Sequence, residues 1–188
     1  MSHAAAAKKV PLRSEVSVAD TWDLTRLFPD SAAWEAGLKE YQERYPGYLQ
    51  FKGTLAESAD QLLKCLEFDK ELDLLGERLR HYAMLQTAED SSNHEFLDRE
   101  ARLHQTFTLA AETAAFLTPE ILAIPEDRYQ GFVAEEKLAP WRTRLSLLRR
   151  AKPHILSEAE ERLLAMVSIP LHGHDETFNQ LLNVDMTF

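Results

Sequence analysis

The chain has 188 residues, 45% of them hydrophobic, with six glycines and eight prolines. That length suits one domain, or one domain with appendages, and supports a core that buries roughly 70% of the unfolded surface. Against 21 basic residues stand 31 acidic ones, a formal charge of −10. Such a surface repels phosphate backbones, so no nucleic-acid partner is expected. No apolar run approaches the ~20 residues that span a bilayer, so no membrane partner is expected either. A single cysteine, Cys65, excludes an internal disulfide and suits a reducing, cytoplasmic location.

Residues 1–19 lack periodicity and are expected to form a flexible tail; four alanines precede two lysines there, the wrong order for a signal peptide. From Asp20 the chain reads as helical. Asp30 or Ser31 can cap a first helix whose Trp34, Leu38, Tyr41 and Tyr45 share a face, and Pro46-Gly47 ends it. A second helix is expected after the N-cap Ser58 and runs to about Ala88, with Phe68, Leu72, Leu75, Leu79, Tyr82 and Leu85 at helical spacing. The polar run Asp90 to Asn93 forms a turn, and a third helix follows with Phe96, Leu103, Phe107, Ala110, Ala114 and Leu117 on one stripe.

Two long stripes joined by a short turn predict an antiparallel hairpin, in which facing residues have numbers adding to about 182. Leu85 then faces Phe96, Leu79 faces Leu103, Leu75 faces Phe107, Leu72 faces Ala110 and Phe68 faces Ala114. Gly76 costs a helix interior about 1 kcal/mol relative to alanine, and the ring of Phe107 is expected to cover the gap it leaves. Shorter helices are predicted from Thr118-Pro119, from Pro125-Glu126 and from Pro140-Trp141. A capping box at Ser157 to Glu160 leads the apolar Leu163, Leu164 and Val167, and a last helix is expected around 175–182. Val184, Met186 and Phe188 alternate with polar residues, which is strand periodicity. The fold class is therefore all-α, with a helical domain over 20–183 and the start of a strand over 184–188.

No combination of residues assembles a catalytic site. His94-Glu95-Phe96-Leu97-Asp98 approaches the zinc-peptidase helix HExxH, but Asp98 stands where the second imidazole is needed. A polar start to the third helix explains it as well. His172, His174, Asp175 and Glu176 form a second candidate cluster for zinc or nickel, against the simpler reading of a loop entering a helix whose dipole favours acids. Cys65 sits among Leu62, Leu63 and Leu66 and reads as a small buried hydrophobe. Arg142, Arg144, Arg149, Arg150 and Lys152 make one basic cluster; cations near a helix C-terminus explain Arg149, Arg150 and Lys152, and a docking surface for an acidic partner or second domain is the alternative. Catalytic, cofactor-binding and metal residues are accordingly expected to be none.

Several strings together resemble the N-terminal region of oligoendopeptidase F, within the thimet-oligopeptidase-like zinc peptidases. They are Thr21-Trp22-Asp23-Leu24-Thr25 through Phe28-Pro29, Trp34-Glu35, Phe51-Lys52-Gly53 with Leu55, Tyr82-Ala83 and the Glu89-Asp90 turn. Pro119-Glu120-Ile121-Leu122, Lys152-Pro153-His154-Ile155-Leu156-Ser157 with Glu160-Glu161, and Phe178 through Phe188 continue the series.

The resemblance implies a helical wall or cap over a deep cleft that admits short peptides. It further implies that zinc, held by an HExxH helix and a downstream glutamate, polarises the scissile carbonyl and activates water. This sequence contains no HExxH, so the resemblance carries no metal or catalytic residue onto it. The reading is an inactive cap segment, truncated before a missing catalytic domain that would be its main partner. The alternatives are a non-enzymatic helical module binding a partner through an apolar groove, and a small metalloprotein using His172 and His174.

Overall fold

The computed structural model describes residues 15–154 together with 174, 177, 178, 181, 182 and 186. After short 3₁₀ turns at Val18–Asp20 and Leu24–Arg26, helix α1 spans Ser31–Arg44. Its N-cap is Asp30, whose carboxylate accepts the Ala33 N–H at 2.8 Å. At Tyr45 and Pro46 the chain does not leave the helix but tightens into a 3₁₀ segment, Tyr45–Phe51. Proline is tolerated there because the first turn of a helix leaves its N–H groups unpaired.

Helix α2 spans Ala59–Glu89, with the Ser58 hydroxyl accepting the Gln61 N–H at 3.1 Å. Helix α3 spans His94–Ala114, capped by the Asn93 side chain on the N–H groups of Glu95 and Phe96. Between them Asp90 accepts from the Ser92 N–H and hydroxyl, which closes the turn. The hairpin packs as the stripes predict: Leu72, Leu79, Tyr82, Leu103 and Ala110 are buried in one cluster with Trp34, Leu38 and Tyr41 of α1. A β-carbon on Gly76 would lie 3.4 Å from the Phe107 ring and 3.1 Å from the Tyr41 ring. Phe107 covers the gap, and Tyr41 covers it more closely. Trp34 is wholly buried and donates its indole N–H to the Leu79 carbonyl at 3.0 Å, tying α1 to α2.

Helices α4 (Leu117–Ala123), α5 (Glu126–Ala134) and α6 (Arg142–Ala151) build a second cluster on the N-terminal half of α2. Leu55, Ala59, Leu62, Cys65 and Leu66 meet Ile121, Ile124, Tyr129, Phe132, Leu138 and Leu145 there. Two predicted starts shift. Helix α4 begins at Leu117, because Ala115 and Phe116 keep helical torsions out of α3; Thr118 caps nothing and Pro119 sits inside the first turn. Pro140 lies within a 3₁₀ helix, Glu136–Trp141, and α6 opens only at Arg142.

Glu120 fixes this second cluster to the loop before α2. Its carboxylate accepts the N–H groups of Gly53 and Leu55, each at 3.0 Å. Gly53 has φ +81°, a conformation that glycine adopts without strain. The interior also holds one cation that periodicity missed. Arg99 on α3 is 2% exposed; it donates to Gln86, to Ser31 at 3.2 Å and to Glu95 at 2.9 Å. Its guanidinium lies within 6 Å of the ring centroids of Trp34, Tyr82 and Phe96 (5.3, 5.9 and 5.7 Å).

The described residues form no strand, and the fold is all-α. The capping box at Ser157 and its helix lie outside the described residues. His174, Thr177 and Phe178 are helical. Of the expected strand only Met186 is described, and its N–H goes to the nearby Leu181 carbonyl at 2.9 Å.

Two substitutions test these joints. Gly76→Val should cost about 2 kcal/mol by forcing the Tyr41 and Phe107 rings apart, read as a lower denaturation midpoint. Glu120→Ala should cost about 2 kcal/mol, because it strands the N–H of Leu55 in the core. An unchanged midpoint in either variant would refute the corresponding joint.

Candidate functional site

Of the residues singled out for metal binding, those on α3 do not come together. His94 is the exposed first residue of α3. Asp98 is engaged by Arg102, whose Nε donates to it at 2.9 Å while the two terminal nitrogens bind Glu35 at 2.9 and 2.6 Å. His174 is exposed, and His172, Asp175 and Glu176 lie outside the described residues. Among the described residues no three His, Cys, Asp or Glu side chains converge as a metal site requires. They do not fit the zinc that the resemblance implies for a complete enzyme.

A partly enclosed recess lies between α2, α4 and α6, with a volume of about 380 Å³. Residues at i, i+1 and i+4 on two helices build it: Cys65, Leu66 and Asp69 on α2, Arg144, Leu145 and Leu148 on α6. Leu117 and Ile121 of α4 close the apolar floor. At the rim Asp69 accepts from Tyr48 at 2.8 Å and from Arg144 at 2.6 Å. This arrangement offers an apolar pocket with one satisfied ion pair. It holds no nucleophile beside a base. Burial, with the charge of Asp69 next in weight, pushes the Cys65 thiol up to about 12, so the thiol is inert at neutral pH. Burial and Asp69 also raise Tyr48, which stays a neutral donor.

The basic cluster works across helices as well as at its own C-terminus, where Arg149 and Arg150 occupy the last turn of α6. Arg142 donates to the carbonyls of Val133, Ala134 and Glu135 at the end of α5. Arg149 reaches Leu122 and Ile124 at 2.9 and 2.6 Å, and Lys152 reaches Leu122 at 2.9 Å, at the end of α4. Leu122, Val133 and Ala134 present carbonyls at helix ends, where the helix dipole favours a cation. The rule that cations sit at helix C-termini holds; linear sequence could not say which helix. Arg144 pairs with Asp69, which leaves Arg150 exposed and, among the described residues, unpaired.

The raised acids give a pH dependence. Cys65, Tyr41 and Tyr48 keep their protons when folded, with Cys65 and Tyr41 each pushed up to about 12 from ordinary values of 9.0 and 10.0. The unfolded chain releases these protons first, so their stabilisation is complete below pH 9.0 and is lost as pH rises toward about 12. Unfolding followed by circular dichroism should show this alkaline decline. At pH 8 a disulfide reagent should label native Cys65 at least about a hundredfold more slowly than the denatured chain. Equal labelling rates would contradict the buried, protonated thiol.

Comparison with known proteins agrees with the helical body. The family model described as oligopeptidase F matches residues 120–188. Oligopeptidase PepF of Bacillus subtilis (strain 168) is 39% identical over 184 residues, covering 97% of this chain and 27% of that protein. Group B oligopeptidase PepB of Streptococcus agalactiae is 30% identical, covering 94% of this chain and 30% of the relative. The crystal structure of oligoendopeptidase-F from Enterococcus faecium superposes with a TM-score of 0.72 at 27% identity, over 85% of this chain and 32% of that one. The chain thus spans between a quarter and a third of the length of the proteins it matches. Sequence and fold together place it with the N-terminal region of the oligoendopeptidase F family.

Proposed function

We propose that the chain serves as the N-terminal wall or cap of a zinc-dependent oligoendopeptidase, in which it restricts the cleft to short, unfolded peptides. The observation that carries this reading is the 39% identity to Oligopeptidase PepF along nearly the whole chain. The physical reading agrees with it. The described side chains offer helix packing, a recess and ion pairs, with no convergent metal donors, so the contribution is shape. Zinc and the base that hydrolyses the peptide are assigned to residues outside this chain, and its main partner is that catalytic part.

A second reading, a helical interaction module without enzymatic activity, draws on the apolar recess between α2, α4 and α6. The two are separated by comparing the purified 188-residue chain with the longer protein that contains it. The cap reading expects no peptide turnover and no stoichiometric zinc in the short chain. It expects the longer protein to hydrolyse quenched fluorescent peptides while leaving a folded protein intact. Turnover by the 188-residue chain, or equal cleavage of folded proteins and short peptides, would sink it.

A further inference from the structure

A groove of about 480 Å³ runs along the seam of α5 and α6, lined by Glu126, Tyr129, Val133, Arg149, Arg150 and Lys152 among others. It concentrates positive charge on a protein whose formal charge is −10. Three cations line it against one carboxylate, Glu126, which lies 3.5 Å from Arg149 and accepts from Gln130 at 2.7 Å. Arg149 and Lys152 give hydrogen bonds to the end of α4, and Arg150 has no partner among the described residues.

The second observation is a pair of orphaned donors. Three buried side-chain polar atoms among the described residues lack a partner, and two of them sit on residues that line this groove: the Tyr129 hydroxyl and Arg149 Nε. Tyr129 is 3% exposed, and the Arg149 guanidinium lies 4.2 Å from its ring centroid. Burial keeps this phenol above its ordinary value, so it is an O–H donor at neutral pH. Buried donors are nearly always satisfied by protein, water or a bound ion, so two in one wall call for an acceptor. The unspent groups of Tyr129 and the three cations include several donors: a phenol, one guanidinium N–H, the free guanidinium of Arg150 and the remaining protons of Lys152. A species rich in acceptors and negatively charged satisfies them together, and Val133 and Pro153 give the groove an apolar border.

We infer that the α5–α6 groove binds a small oxyanion, a carboxylate or a phosphate, between Tyr129 and the Arg149, Arg150 and Lys152 cations. This site is separate from the proposed cap role and does not depend on it. The test titrates the 188-residue chain with inorganic phosphate and with succinate, by calorimetry and by backbone amide NMR, against sodium chloride at matched ionic strength. Saturable one-to-one binding, with shifts centred on residues 126–153, is expected for at least one of the two; the tighter of them identifies the chemistry. Tyr129→Phe keeps the ring under Arg149 and removes only the hydroxyl; it should weaken binding about tenfold. Arg150→Gln leaves the α4 end contacts intact and should also weaken binding. The site is refuted if neither anion binds beyond the chloride control, or if Tyr129→Phe, folded by circular dichroism, leaves the affinity unchanged.

Discussion

One long helix has to serve two cores. At about 1.5 Å per residue, the 31 residues of α2 extend for about 46 Å, and different faces of its two halves are buried. Ala59, Leu62, Cys65 and Leu66 pack with α4, α5 and α6; Leu72, Leu79, Tyr82 and Ala83 pack with α1 and α3. Phe68 stands at the junction and packs against both clusters. Its ring lies 5.1 Å from Tyr48 and 5.5 Å from Phe51, so the 3₁₀ segment after α1 is pinned at the same point. Helices α1, α3, α4, α5 and α6 are each placed by which half of α2 they cover.

Polar groups complete what apolar packing leaves open. Arg99 fills a space between three helices that no aliphatic side chain could satisfy, because it meets Gln86 of α2, Ser31 of α1 and Glu95 of its own helix at once. Its planar fork lies among the rings of Trp34, Tyr82 and Phe96, an arrangement that a lysine ammonium would not reproduce. The cations of α6 act likewise on neighbours: they neutralise the carbonyl ends of α4 and α5, two helices of 7 and 9 residues that are too short to be stable alone. In an acidic protein these positive groups are committed to architecture before any is available for binding.

What was legible in the sequence follows from this division. Periodicity gave the hairpin, its register and the cover over Gly76, because burial of one helix face leaves a direct 3.6-residue trace in the chain. Caps at Asp30, Ser58 and Asn93 were legible for a related reason: a side chain bonds backbone two or three residues away. The true buried stripe of α3 includes Arg99 and Thr106, which hydropathy marks as surface residues. Only partners distant in the chain make their burial tolerable, such as Gln42, which donates to the Thr106 hydroxyl at 3.0 Å. The reach of Arg149 to Ile124, and the orphaned Tyr129 hydroxyl, likewise depend on how helices meet. No local pattern encodes them.

The strings that carry the family resemblance become intelligible in the same terms. Trp34 binds the Leu79 carbonyl; Tyr82 packs edge-on against Phe28, 5.7 Å between centroids; Lys152 binds Leu122. Gly53 and Leu55 meet Glu120, so two strings more than sixty residues apart in sequence form a single joint. Among the described residues, then, these strings mark seams between helices, and none of these joints exposes a reactive group. The resemblance is scattered for a physical reason. Its constraint is the relative placement of helices, and it falls on the residues that cross from one helix to the next.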